Sequence, residues 1–361
     1  MKNPHCKLSK KFKVAICTLS LLLPITGSYA KSNEIKPRIP LRPVTIKNVA
    51  YSTNGHFFAV PNYITTGSVG IFTVAPDGKT VAAPSRFSEK DFYRSRGVFY
   101  YSGKKDSLTD LSFIPLQEYS AGYSVAFTNQ GDTLAVSGSD KITIYSSENW
   151  NLNKSIDLKS VSRAIFSPDN RKLAAIADGK IYLLNRPEYA VSFKIEPEPG
   201  CKFADVAFSG NGNIIAAFEY KNTIFEHTSR VRLFMTDNGS QDRQLPWFTD
   251  KISSIPGNHF PLVSYLPGDS ALCVFLEKSF IGKIAVVKSN DGTLIKEFKG
   301  NCYAVSQNRS LFAAAGAIYD LTSWNKVGDF SKSALCLSFD SSVPYLLVVT
   351  PDNIQRLKIE P

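Results

Sequence analysis

No stretch of the chain spells a familiar catalytic signature. HExxH, CxxC, GxSxG, a Walker loop and an EF-hand loop are all missing, which leaves no sequence support for metalloprotease, dithiol, α/β-hydrolase, nucleotide-loop or calcium-loop chemistry. Gly210-Asn211-Gly212 starts like a dinucleotide fingerprint, but Ile215 stands where the third glycine belongs, and the segment lies in a strand-to-strand turn rather than ahead of a helix. Histidine is scarce: His5, His56, His227 and His259 are each isolated in sequence, so no metal site is expected. No catalytic residue and no cofactor is assigned from these absences.

Charge and hydropathy are also short in places that matter. Beyond residue 30 there is no Lys/Arg run to track a nucleic-acid backbone and no second apolar stretch long enough to span a bilayer. Residues 1 to 13 hold five lysines and no acid, residues 14 to 26 (VAICTLSLLLPIT) are apolar, and Ser28 and Ala30 make a small-x-small cleavage site. This is the pattern of a secretory signal peptide over 1–30, because thirteen apolar residues are too short for a hydrocarbon core of roughly 30 Å. Five of the 42 basic residues and none of the 31 acidic ones lie in that segment, so the rest of the chain carries a net charge of +6. The expectation is an exported protein, periplasmic or secreted, monomeric, with no transmembrane span after cleavage. Residues 31–42 read as a flexible lead-in and 43–361 as one domain.

What the chain has in quantity is a repeat. Eight times it writes a short apolar strand that runs into a turn: VAYSTNG (49–55), DFYRSRG (91–97), VAFTNQG (125–131), AIFSPDN (164–170), VAFSGNG (206–212), VSYLPGD (263–269), YAVSQNR (303–309) and LSFDSSV (337–343). The last positions are 42, 34, 39, 42, 57, 40 and 34 residues apart, a period that suits a four-stranded propeller blade. The third repeat shows the design. Val125, Phe127, Leu134, Val136, Ile142 and Ile144 alternate with smaller or polar residues, and Gly131, Gly138-Ser139-Asp140 and the Asn149 region divide it into strands a, b, c and d. Hairpins between strands c and d are signalled by Pro76-Asp77-Gly78, Asn238-Gly239 and Asn290-Asp291-Gly292.

LAVSGSDKITIYSSENW and AIFSPDNRKLAAIADGKIYLL resemble WD40-type repeats over most of the chain. The Gly-His opening pair and the Trp-Asp after the third strand are absent, with Ile144-Tyr145, Leu183-Leu184 and Leu233-Phe234 in the corresponding region. The resemblance implies an all-β propeller of four-stranded blades and a scaffold for protein contacts. Repeat count gives eight blades, or seven if residues 85–121 are an insertion. The eighth repeat has three strands and then stops, so Pro43-Val44-Thr45-Ile46 is expected to supply its outermost strand and close the ring.

Cys201, Cys273, Cys302 and Cys336 remain after residue 30, and Cys302 and Cys336 each precede their phrase by one residue. Matching heights on adjacent inner strands would permit a bridge, but buried free thiols are the expectation.

One spacing departs from the rest. The 57-residue interval puts extra chain at Glu219–Arg230 and Asp242–His259, between strands b and c of the fifth repeat and between its strand d and the sixth repeat. Both connections leave a propeller at the same face. They gather Tyr220, Phe225, His227, Arg230, Arg243, Trp247, Phe248 and Phe260, aromatic and basic types enriched at protein contacts. These are the candidate partner-binding residues. Lys221 and Lys251, with Arg94, Arg96, Lys104 and Lys105 from shorter loops, would add a basic rim for an acidic peptide or an envelope glycan. The alternative function is a lactonase-like or glycan-cleaving enzyme with its site at the channel mouth.

Overall fold

A computed structural model describes residues 34–35, 73–74, 81–82, 97–101 and 111–115 and, with short gaps, 124–359. Among the described residues every regular element is a strand, and the strands form eight antiparallel sheets. Six are four-stranded and two are two-stranded. Each corresponds to one of the eight phrases. Thr73–Val74 pairs with Val81–Ala82 in the first repeat, on either side of the expected turn sequence Pro76-Asp77-Gly78, which lies outside the described residues. Gly97–Tyr101 pairs with Leu111–Pro115 in the second, so that repeat contributes sheet rather than an insertion without structure.

The fourth repeat shows why these sequences make blades. Its strands Val161–Phe166, Lys172–Ala177, Lys180–Asn185 and Ala190–Ile195 pair in chain order as a meander. In strand b, Leu173, Ala175 and Ala177 face the third blade, while Ala174 and Ile176 face the fifth. Both faces are buried, so the strand reads KLAAIA rather than alternating with polar residues. Strand d lies at the rim and is mostly exposed. Each fully buried Leu, Ile, Val or Phe contributes roughly 1.5–3 kcal/mol, which locates the stability at the blade-to-blade faces. First strands of successive repeats lie side by side from the third repeat to the sixth, and the seventh lies beside the eighth.

The a-to-b turns of the phrases are left-handed at their last position, with φ of 76° at Gly131, 60° at Asn170, 74° at Gly212 and 59° at Asp269. Gly, Asn and Asp are the residue types that tolerate this conformation, and that is the physical content of the repeated phrase. At the other end of strand a, inter-blade bonds form a belt. Arg163 Nε donates to Asp205 Oδ1 at 2.9 Å, and Asp205 Oδ2 accepts from Leu262 N at 2.7 Å. Asp205 is fully buried and so ties the fourth, fifth and sixth blades together.

Strands Cys336–Phe339, Tyr345–Val349 and Ile354–Lys358 make the eighth sheet, and an N-terminal strand completes it. That strand is Glu34–Ile35, pairing Glu34 with Gln355 and Ile35 with Ile354. Closure by an N-terminal strand holds, but the strand comes from within 31–42, the stretch read as a flexible lead-in. Residues 43–46, expected in that role, lie outside the described residues, as do residues 1–30.

Cys201 and Cys273 are buried free thiols. Cys302 directs its sulfur to the Ala334 carbonyl oxygen at 3.4 Å, and the side chain of Cys336 lies outside the described residues.

Candidate functional site

The extra chain between strands b and c of the fifth repeat is largely strand. Ile214–Asn222 and His227–Met235 are nine residues each, against six for the corresponding strands of the fourth repeat. Their register runs on through Glu219 opposite Arg230, Tyr220 opposite Ser229 and Asn222 opposite His227. The expected loop over Glu219–Arg230 is therefore a β-ribbon, with only residues 223–226 left to turn it. The sixth repeat is lengthened in the same way, with Ala271–Lys278 and Ile281–Lys288 at eight residues each. Sequence spacing missed this second ribbon because only two residues separate its paired strands, which leaves the phrase interval near forty.

Strand d of the fifth blade, Gln241–Gln244, continues along the ribbon. Leu245 N donates to Val231 O at 2.8 Å, Phe248 N donates to Ser229 O at 2.8 Å, and Phe248 bridges Ser229. The two stretches of extra chain thus meet. Alternation then sorts their side chains by face. Tyr220 and Phe248 pack on the apolar core shared with the sixth blade, and burial raises the Tyr220 hydroxyl pKa.

Glu219 and Arg230 point the other way, toward the fourth blade. Glu219 is wholly buried, and its two oxygens accept three hydrogen bonds and close one further ion-pair contact. Oε2 accepts from Arg230 Nε at 2.7 Å and lies 2.6 Å from Arg230 Nη2 as an ion pair, and Oε1 accepts from Arg232 Nη1 and from Glu198 N, both at 2.9 Å. Arg230 Nη2 also meets Glu198 Oε1 at 2.5 Å. The bond from Arg230 holds the Glu198 carboxyl below its ordinary pKa. Arg232 continues to Gln241 Oε1 and lies over the Phe234 ring at 4.9 Å. Two carboxylates and two guanidinium groups make the cluster electrically neutral. Trp247 lies over the Arg230 guanidinium, 4.2 Å from carbon to ring centroid, and is 37% exposed.

Beside Trp247 is a cavity of about 200 Å3 between the rims of the fifth and sixth blades, lined by Leu245, Phe248, Leu276, Ala285, Val287 and Leu294 among others. Leu294, at 53% exposure, continues the apolar surface outward.

Of the eight candidates, then, Tyr220, Arg230, Trp247 and Phe248 converge on this ribbon. Arg243 stands in strand d and pairs with its neighbour Asp242 at 2.6 Å. For His227 only the backbone is described, at the ribbon's end. Phe225 and Phe260 lie outside the described residues, as do Lys251 and the basic residues expected from shorter loops, Arg94, Arg96, Lys104 and Lys105. Glu198, Glu219 and Arg232 were not singled out in the sequence, and a charged residue inside an otherwise apolar strand (IIAAFEYKN) was the available signal for Glu219. Among the described residues no three His, Cys, Asp or Glu side chains are grouped as a metal site, and no helix is long and apolar enough to cross a membrane.

No family model matches the sequence and no curated protein matches it. Solved structures do match in fold. A chain of the Kuenenia stuttgartiensis hydrazine synthase is 14% identical with a TM-score of 0.58, over 83% of this chain and all of that one. The β-propeller domain of Cps50 (Swd1) from Myceliophteria thermophila is 12% identical with a TM-score of 0.57, over 83% of this chain and all of the domain. A chain of a mitotic checkpoint complex is 12% identical with a TM-score of 0.58, over 95% of this chain and all of its own length. Identities this low speak to fold and not to activity. Repeats, meander sheets, N-terminal closure and these neighbours agree: the fold of the chain is a WD40-like β-propeller.

Proposed function

We propose that this is an exported binding propeller that holds a protein partner at the rim shared by its fifth and sixth blades, with Trp247 as the anchor. The observation that carries the reading is the combination at that rim of an indole 37% exposed, an adjoining apolar cavity and the exposed Leu294. Large aromatics beside a pocket are the usual centres of binding energy at protein contacts. The lengthened ribbons of both blades add surface there and nowhere else among the described blades. Export rests on the signal-like residues 1–30, and a structural neighbour within a mitotic checkpoint complex is in keeping with a propeller that works through protein contacts.

The two arginines named at this edge are already engaged within the chain, Arg230 by Glu219 and Glu198 and Arg243 by Asp242. The partner that fits is therefore a segment offering an apolar side chain to the cavity, rather than an acidic one. The test is a photo-crosslinking residue placed at 247 or 294, with position 327 as control, since Val327 on the rim of the seventh blade is equally exposed at 52%. In the host envelope, adducts to one protein are expected from 247 and 294 and not from 327. With the probe at 294, Trp247→Ala should abolish the adduct while keeping β-sheet circular dichroism; the probe at 247 is an aromatic one, which keeps a ring at the anchor position. Equal labelling from all three positions would overturn the assignment.

A further inference from the structure

The buried charges of the fifth blade stand out in a fold whose other inter-blade faces are mostly apolar. Glu219 is 0% and Arg230 is 3% exposed at the side chain, so neither faces solvent. A buried ion pair is rarely a net source of stability, because desolvating both partners offsets their attraction. What such a pair can do is fix geometry. Here the Arg230 fork is held on both sides, by Glu219 through Nε and Nη2 and by Glu198 through Nη2. Its plane is therefore set by carboxylates from two different chain segments, and the remaining face carries the indole of Trp247 at 4.2 Å.

We infer that Glu219, Glu198 and Arg230 are positioning residues that orient Trp247 for its role at the rim. The inference rests on the proposed partner-binding role of Trp247, and it explains why a half-exposed indole can be presented rigidly on a segment that has left regular sheet pairing. Pro246 precedes Trp247, and the main-chain bonds at Leu245 and Phe248 fix the backbone on either side. The indole itself projects from that span, and the guanidinium is its support. Because the cluster is neutral and its charges are consumed internally, docking at this edge is apolar and aromatic in character and only weakly sensitive to salt.

The experiment needs no partner, so its failure is distinguishable from failure of the binding reading. The three tryptophans, Trp150, Trp247 and Trp324, are replaced by 5-fluorotryptophan in the exported form of the full chain. The Trp247 fluorine resonance is assigned from Trp247→Phe. A narrow Trp247 line shifted away from free fluorotryptophan is expected in the parent protein. Arg230→Lys keeps the charge and loses the fork. It should move the Trp247 line toward the free position and raise its response to a soluble paramagnetic quencher several-fold, with the Trp150 and Trp324 lines unchanged. Glu198→Gln, altering a carboxylate 44% exposed, should give the same change at smaller amplitude. A Trp247 line that stays in place in both folded variants overturns the proposal. So does a change that spreads equally to Trp150 and Trp324, since that reports general loosening. If the positioning holds and crosslinking from position 247 nevertheless fails, the binding reading falls and the geometry stands.

Discussion

At the scale of single residues, the a-to-b turns obey a rule of complementarity from blade to blade. Asn129 of the third phrase donates its backbone N–H to Asn170 Oδ1 of the fourth at 2.8 Å, and Gly210 of the fifth donates to both oxygens of Asp269 in the sixth at 2.8 and 2.9 Å. Donors hold the fifth position of their phrase and acceptors the seventh position of the next. Between the fourth and fifth blades the donor position is Pro168, which has no N–H, and the acceptor position is Gly212, which has no side chain; a Cβ there would sit 3.6 Å from the proline ring. Asp269→Asn should leave stability nearly unchanged. Asp269→Ala should cost about 1–2 kcal/mol, since it loses the acceptor and keeps the left-handed backbone. Urea midpoints of the two variants decide this. Glu198 supplies a pH-dependent term of the opposite kind. Its carboxyl titrates below its ordinary value of 4.5, held down by Arg230. The stabilisation is therefore complete above that value and is lost as pH falls through the lower, folded-state value. Glu198→Gln should lower the melting temperature at pH 7, and the gap to the parent should narrow as pH falls below the carboxyl's ordinary range.

At the scale of elements, the c-to-d hairpins share a left-handed residue that sequence reading expects to be glycine. Gly239 and Gly292 fill it in the fifth and sixth blades, but Trp150, Tyr189 and Trp324 fill it in the third, fourth and seventh. An aromatic there carries backbone strain, and packing offsets it. Trp324 lies within 5.9 to 6.1 Å of the Phe312 and Phe298 rings, and Lys296 sits 5.2 to 5.8 Å from Tyr319, Trp324 and Phe298. The ribbon of the sixth blade depends on a different glycine. A Cβ on Gly282 would lie 2.1 Å from Gly300 O and 2.8 Å from the Phe275 ring, so strand d can reach strand c at that height only if the side chain is absent. Gly282→Ala should cost about 1–3 kcal/mol through overpacking, with thermal denaturation as the measure, and should loosen the ribbon next to Trp247.

At the scale of the molecule, the seam in the eighth sheet is short. Two residue pairs, Glu34 with Gln355 and Ile35 with Ile354, join the chain's two ends. Truncation through residue 36 exposes the edge of Ile354–Lys358 and leaves the last blade one strand short. A melting temperature lowered by several degrees and concentration-dependent aggregation by light scattering are expected. An unchanged melt would show that the seam contributes nothing to closure.

The propeller was legible in the chain because its cause is local and repeated. Left-handed turn positions demand Gly, Asn or Asp, doubly buried inner strands demand unbroken apolar runs, and both recur at a fixed period whatever else varies. The same local pattern identified one of the two elaborated blades, the fifth, since extra chain lengthens its interval. It could not say whether that chain is loop or ribbon, because EYKNTIFEHTSR has no strong turn signal and strand pairing across it depends on neighbours. Nor could it identify which N-terminal residues fill the last sheet, because a strand of two residues, Glu34–Ile35, carries too little alternation to be read. The roles of Arg230 and Trp247 were decided only by tertiary packing. An arginine reads as a surface cation until Glu219 from the facing strand meets it in the interior and Glu198 from the preceding link meets it from the solvent side, and proximity between residues distant along a chain is set by the closing of blade upon blade, which no sequence period encodes.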